Sequence, residues 1–169
     1  MRTFPVCLKI ALLVTLISFT KEASPQSRLE LAGGYGVPGL FNLGIKYGQN
    51  VQVGAYGGIY PFMWYGDRVV DWSCGLDFIY HFTGKSKYVE QAPWYLLGSL
   101  AYHHLNVIDP YERYDISVCP RIGRTLNFSG KWGLNLDVGL FIPLSMTPDY
   151  DSYEFKFLPS GSLGLFIRL

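Results

Sequence analysis

The residues best suited to chemistry lie near one end of a predicted strand. His103 and His104 are adjacent, Ser99 precedes them, and three acidic residues follow, namely Asp109, Glu112 and Asp115. A histidine with a carboxylate and a serine is the set that a hydrolase or acyltransferase uses for nucleophilic catalysis. Strand parity points the His103 side chain inward, which makes His103 the candidate catalytic residue of this group.

Two features argue against catalysis at this point. Ser99 lies outside any Gly-x-Ser-x-Gly sequence, which is the local signature of one class of hydrolases. Ser99 and His103 are also roughly 13 Å apart along an extended strand, which is too far for a direct hydrogen bond. The residues therefore predict a non-catalytic protein, and His103 is kept as the catalytic candidate of an alternative.

Metal and cofactor chemistry find little support in the sequence. Asp149, Asp151 and Glu154 offer oxygen ligands for a hard cation but lack the spacing of an EF-hand loop. Cys74 and Cys119 match no zinc spacing, and opposite strand parity disfavours a disulfide between them. The glycines are scattered and form no phosphate-binding loop. We therefore predict neither a metal site nor a cofactor.

Charge and composition narrow the class of protein. The chain has 14 basic and 13 acidic residues, a formal net charge of +1, and no basic run. We expect no nucleic-acid partner, because phosphate binding depends on clustered Lys and Arg. Helical periodicity is scarce, and the apolar residues fall in short alternating runs that are typical of strands.

Residues 1–24 have the organisation of a secretory signal peptide. Arg2 and Lys9 supply a basic start, and an apolar stretch runs from Ile10 to Phe19. This stretch is half of the ~20 residues that a membrane-spanning helix needs. We predict cleavage within about 20–26 and one domain, a barrel, over residues 25–169.

Alternating segments predict eight β-strands after the leader. The last segment, residues 162–169, is the clearest, because Leu and Ile occupy every second position and Ser, Gly, Phe and Arg168 lie between them. The predicted strands lie at about 28–36, 39–47, 51–60, 70–82, 93–105, 112–125, 131–142 and 159–169. The connections at about 61–69, 106–111 and 143–158 are long, and they alternate with short turns as in a transmembrane barrel.

Outward parity collects aromatic side chains at both ends of the predicted strands, while apolar residues fill most outward positions between them. One belt consists of Tyr47, Tyr80, Trp94 and Trp132, and the other of Tyr35, Trp72, Tyr102 and Tyr114. Two membrane interfaces select such belts around an apolar band. We therefore predict an all-β fold, an eight-stranded antiparallel up-and-down transmembrane β-barrel.

Inward parity collects charged side chains, namely Glu30, Lys46, Asp77, Arg121, Asp137 and Arg168. The interior of an eight-stranded barrel is only wide enough for side chains, and buried charges there need partners. Glu30 can meet Arg168 across the closing seam, and Arg121 can meet Asp137. We interpret this set as an interior polar plug, and the alternative is an ion path in a porin-like protein.

On these features the chain resembles the small eight-stranded outer-membrane β-barrel proteins of Gram-negative bacteria. The resemblance rests on the leader, the eight segments, the aromatic belts and the terminal residues 164–169. It implies a monomer in the outer membrane that contacts lipid and lipopolysaccharide and is assembled by the barrel-assembly machinery through its C-terminal strand. Members often end in Phe, whereas this chain ends in Leu169.

The resemblance implies a structural or surface-interaction role, and two alternatives stay open. A few members of this class are lipid A acyltransferases or deacylases with catalytic groups at the exterior mouth, where His103 would lie. A secreted soluble barrel that binds a small apolar ligand would reverse the two faces of every strand. The connections at 61–67 and 145–153, rich in Tyr and Asp, suit either surface binding or a lid over the barrel mouth.

Overall fold

The computed structural model describes residues 28–37, 40–64, 67–106, 112–145 and 157–169, of which 60–64, 67–70, 105–106, 112–115 and 145 are described by their backbone alone. The predicted signal peptide at 1–24 and the acidic cluster at 149–154 lie outside these residues. No helix in the described part of the chain is long and apolar enough to cross a membrane.

The described residues form eight strands in an unbroken antiparallel series. They are β1 (Arg28–Val37), β2 (Phe41–Gly48), β3 (Val51–Trp64), β4 (Asp67–Thr83), β5 (Trp94–Asn106), β6 (Glu112–Asn127), β7 (Trp132–Ser145) and β8 (Leu158–Arg168). Each strand pairs with the next, and β8 pairs back with β1 to close a barrel. This confirms the predicted all-β up-and-down barrel. Closure leaves no unpaired edge between these strands.

The start of β1 and the end of β8 lie at the same end of the barrel, which we call the terminal end. At the closing seam Glu30 pairs with Arg168 in register, and Arg28 pairs with Gly48 of β2. Residues 49–50, 84–93 and 128–131 connect strands at this end. Gly48 and Gly84 leave their strands with φ of 129° and 99°, a conformation that favours glycine.

One predicted connection at the opposite end is wrong. Residues 61–69 do not form a long loop, because β3 continues to Trp64 and β4 begins at Asp67, so that Pro61 pairs with Val70. Aromatic and β-branched residues on both sides of this hairpin favour strands. Pro61 lacks a backbone donor, which makes proline unusual within a strand, but the neighbouring residues keep their pairing. β7 likewise runs to Ser145, beyond its predicted end at 142.

The two faces of the barrel differ as the period of two predicts. Outward side chains are apolar and exposed, for example Leu43 at 75%, Val138 at 66% and Leu165 at 57%. Inward side chains are largely small, polar or charged, and most of them are buried. Cys74 lies outward and Cys119 lies buried inside, and both are free thiols.

Several inward glycines leave room for large side chains on neighbouring strands. A Cβ atom at Gly123 would overlap the ring of Tyr95, and one at Gly75 would lie 2.6 Å from the ring of Tyr56. Gly98 differs, because it faces outward and has no atom within 4 Å of an added Cβ. Inward glycines therefore allow aromatic residues to fill a narrow interior.

These surroundings predict opposite effects for two alanine substitutions. We expect Gly123→Ala to lower the free energy of unfolding by about 1–3 kcal/mol, because the methyl group must displace the Tyr95 ring. The control, Gly98→Ala, is expected to be neutral or to stabilise by about 0.5 kcal/mol, since it adds no clash and reduces backbone freedom. Urea titration of the folded barrel in lipid vesicles measures both, and equal effects would contradict the assigned faces.

Candidate functional site

Arg121 is the centre of a buried network in the middle of the barrel. Its Nη1 donates to Asp137 Oδ1 at 2.9 Å, and its Nη2 donates to Ser99 Oγ at 3.1 Å. Ser99 in turn donates to Asp77 Oδ1. The Arg121 and Asp137 side chains are only 6% and 4% exposed. We call this set, with Tyr95 and Ser162, the central network.

Asp137 receives more hydrogen bonds than the ion pair alone requires. Its second oxygen, Oδ2, accepts from Tyr95 OH at 3.0 Å and from Ser162 Oγ at 2.9 Å. Donors from β5, β6 and β8 therefore reach one carboxylate on β7. A buried carboxylate with several donors is far less costly than an isolated one.

A small cavity adjoins the central network. It has a volume of about 60 Å³ and is lined by the charged side chains Lys46, Asp77, Arg121 and Asp137, together with Asn42 and Tyr56 among others. A cavity needs at least ~10–15 Å³ to hold one water molecule, so this space suits a few waters. Lys46 lines the cavity but makes no ion pair that the described residues show.

Arg168 is the centre of a second network at the terminal end. Its Nε donates to Glu30 Oε1 at 2.7 Å across the closing seam, and its Nη1 donates to Asn127 Oδ1 at 2.7 Å. Its Nη2 donates to Gln91 Oε1 at 2.9 Å. The guanidinium also lies 4.6 Å from the centroid of the Phe166 ring. We call Arg168 and these partners the terminal network.

The connection between β4 and β5 crosses the mouth at the terminal end. Gln91, which is buried, donates to Gln49 O at 2.7 Å and accepts from Arg168. His81 Nδ1 donates to Ala92 O at 2.7 Å, and His81 Nε2 lies 3.2 Å from Gln52 Oε1. This connection therefore covers the mouth and is held to the barrel wall by hydrogen bonds.

The predicted catalytic candidate has a partner that sequence reasoning missed. His103 faces inward and is buried, and its Nε2 lies 2.8 Å from Ser117 Oγ on β6. Ser99 belongs instead to the central network. Ser117 has no exposed surface, and neither Ser117 nor His103 lines the 60 Å³ cavity. A nucleophile needs space for a substrate carbonyl beside it, so this contact has the surroundings of a structural hydrogen bond.

The predicted interface aromatics lie on the outward face wherever their side chains are described. Tyr47, Tyr80, Trp94 and Trp132 are at the terminal end, and Tyr35, Trp72 and Tyr102 are at the opposite end. Trp72 packs on Tyr102 at 5.6 Å and stacks on His104 at 5.5 Å between ring centroids. The side chain of Tyr114 lies outside the described residues.

Within the described residues, no group of three or more His, Cys, Asp or Glu side chains is placed to hold a metal ion. The charged groups inside the barrel are instead placed against one another. The central network and the terminal network can therefore hold their own side chains and a few water molecules in fixed positions inside the barrel.

Comparison with known proteins gives a likeness in fold. No protein-family model matches the chain, and no curated protein sequence matches it. The chain is similar to the crystal structure of the N-terminal β-barrel domain of Pseudomonas aeruginosa OprF, with a TM-score of 0.52 and 16% identical residues. The match covers 85% of this chain and 96% of that chain. The chain therefore has the fold of a small outer-membrane β-barrel domain.

Proposed function

We propose that the protein is a monomeric outer-membrane β-barrel whose role is structural or lies in surface interaction, and that it is not an enzyme. The observation that carries this proposal is a closed barrel with an exposed apolar outer face and a charged, hydrogen-bonded interior. A soluble barrel would bury apolar residues inside and place polar residues outside. The reversed arrangement suits lipid outside and a fixed polar core inside.

The interior favours a plug over a porin-like path. The central network and the terminal network lie at two levels of the barrel, and the residues 84–93 cover the mouth at the terminal end. A cavity of about 60 Å³ suits only a few waters. The four charged side chains in its lining favour water over a small apolar ligand, which argues against the soluble-carrier alternative.

Cell fractionation with gel electrophoresis tests the proposal. We expect the protein in the detergent-extracted outer membrane, with a mobility on SDS gels that changes when the sample is heated, because a closed barrel resists SDS until it unfolds. Recovery from the periplasm without detergent, and one mobility in both samples, would refute the membrane barrel.

The partners follow from the same proposal. Lipid and lipopolysaccharide would contact the apolar outer face and the aromatic belts, and the assembly machinery would bind the alternating strand β8. Because β1 and β8 pair with each other, the closed barrel offers no free edge for a second copy at this seam. Export would follow from the leader at residues 1–24.

The enzyme alternative makes a prediction of its own, because His103 contacts a serine. If the protein is not catalytic, lipid A from cells that express it will have the same mass as lipid A from cells without it. The variants His103→Ala and Ser117→Ala should then leave the mass spectrum unchanged as well. Loss or gain of one acyl chain that depends on His103 would establish the enzyme instead.

A further inference from the structure

The exposed charges at the terminal end are unevenly distributed. Four exposed cations lie in or beside β5, β6 and the connections 84–93 and 128–131, and we call them the basic arc: Lys85, Lys87, Arg124 and Lys131. Glu90, an exposed acidic residue of the same connection, lines a cavity with Arg28 and Gly48 on the side of β1 and β2. The basic arc thus lies on the side of β5, β6 and β7, whereas Glu90 lies towards β1 and β2.

Specific contacts gather the basic arc. Asn127 Nδ2 donates to Ser86 Oγ at 3.1 Å, which brings the neighbours Lys85 and Lys87 towards the turn that contains Lys131. A Cβ atom on Gly130 would lie 3.8 Å from Tyr88 O, so the connection runs close to this turn. Two connections that are distant in sequence thus present their lysines on one side of the rim.

Arg124 holds the position nearest to the apolar face. It points outward from β6 and is exposed, directly opposite Trp94 of β5 in register. Its guanidinium lies 5.4 Å from the centroid of the Trp94 ring, which is 39% exposed. Arginine stacked on tryptophan keeps its donors free for an anion, since the ring contacts only the face of the guanidinium.

Aromatic side chains place this arc at the edge of the apolar band. Trp132 is 50% exposed and packs on Phe128 with ring centroids 4.8 Å apart, and Tyr80 is 48% exposed on β4. Tryptophan and tyrosine favour the level of lipid headgroups. Cations at this level meet lipid phosphates, and each is attracted to an anionic surface by about 1 kcal/mol, a factor of about five in affinity.

The long connections away from the terminal end are acidic in sequence. The connections 107–111 and 146–157, which join strands at the opposite end, contain four acidic residues and one basic residue. Charge is thus distributed unevenly along the barrel axis, although the net charge of the chain is only +1. Repulsion among four neighbouring cations is relieved when anions bind between them.

We propose that the basic arc binds the phosphate of an anionic phospholipid, with Arg124 on Trp94 as the central contact and the lysines around it. The acyl chains would lie on the apolar face between Trp94 and Trp132. This inference rests on the proposed membrane location and adds the lipid class and the residues that select it. A phosphate placed there accepts hydrogen bonds from the guanidinium and neutralises the neighbouring ammonium groups.

Native mass spectrometry of the full protein, purified from membranes in a neutral detergent, tests this inference. Phosphatidylglycerol and phosphatidylcholine are titrated separately, and bound lipid is counted. We expect phosphatidylglycerol to bind at least fivefold more tightly. Arg124→Gln should weaken its binding about fivefold, whereas Arg124→Lys, which keeps the charge, should retain most of it. Arg28→Gln, which removes a cation at the same end outside the basic arc, should change it less than twofold.

Three outcomes would overturn the inference. The first is equal binding of the two lipids, and the second is an equal loss of phosphatidylglycerol binding in Arg28→Gln and Arg124→Gln. The third is binding of lipid A that depends on Arg124 while binding of phosphatidylglycerol does not. The mobility shift on SDS gels shows that each variant is folded. A folded, membrane-extracted protein that fails these tests refutes the lipid site alone, whereas a protein without a shift that is recovered without detergent refutes the proposed membrane barrel.

Discussion

Asp137→Ala is expected to lower the free energy of unfolding by about 3–5 kcal/mol, because it leaves the Arg121 guanidinium buried without its counter-ion. The loss extends beyond the ion pair, since Tyr95 and Ser162 also donate to Asp137. Both hydroxyl groups would then lie in the interior without this acceptor, and each unsatisfied group adds to the cost. Urea-dependent unfolding in lipid vesicles measures the change.

The matched control removes both charges at once. Replacing Arg121 by Met together with Asp137 by Leu removes both members of the ion pair, so the double variant should be more stable than Asp137→Ala. Asp137→Asn keeps the shape of the side chain and some of its hydrogen bonds, and it should fall between the two. A loss below about 1 kcal/mol for Asp137→Ala would show that water reaches Arg121 freely, and it would refute the plug at this level.

Arg168→Ala is the second substitution with a large expected effect, a loss of about 3–5 kcal/mol. Arg168 uses all three nitrogens of its guanidinium, on partners in β1, in the connection 84–93 and at the end of β6. Its removal leaves Glu30 as a buried, unpaired carboxylate at the closing seam. The same unfolding titration measures the loss.

Two further variants separate charge from geometry at this position. Arg168→Lys keeps the positive charge but cannot direct donors to Glu30, Asn127 and Gln91 together, so it should recover only part of the stability. Glu30→Gln in the Arg168→Ala background removes the unpaired charge, and it should therefore stabilise that variant. If Arg168→Lys were as stable as the parent, the three-way geometry would be irrelevant and only the charge would matter.

The sequence predicts the fold and the two ion pairs because each depends on a local pattern. Alternation identifies the inward residues of β1 and β8, and the first and last strands of an even-numbered barrel must meet, so Glu30 and Arg168 fall at the same depth. The same reasoning brings Arg121 and Asp137 together on adjacent strands. The interior assignments of Lys46 and Asp77 also follow from parity.

The alternation of residues along one sequence does not predict contacts that depend on strand register or on the path of a connection. Ser117 meets His103 only because of the β5–β6 register, which a single sequence does not specify. Gln91 lies in a connection, and its reach to Arg168 depends on how that connection crosses the mouth. The strand continuation through Pro61 also depends on pairing, because proline is unusual within a strand and only the flanking pairs show that β3 extends past it.

The central claim is that the apolar outer face lies in lipid, and collisions of nitroxide spin labels test it most directly. Single cysteines replace Leu43, Leu96, Leu100 and Val138 in a cysteine-free background, since these outward side chains are at least half exposed and lie on three different strands. In the membrane-reconstituted protein, we expect all four labels to collide often with oxygen and rarely with a water-soluble nickel complex. Frequent nickel collisions at these sites would place the outer face in water and contradict the account.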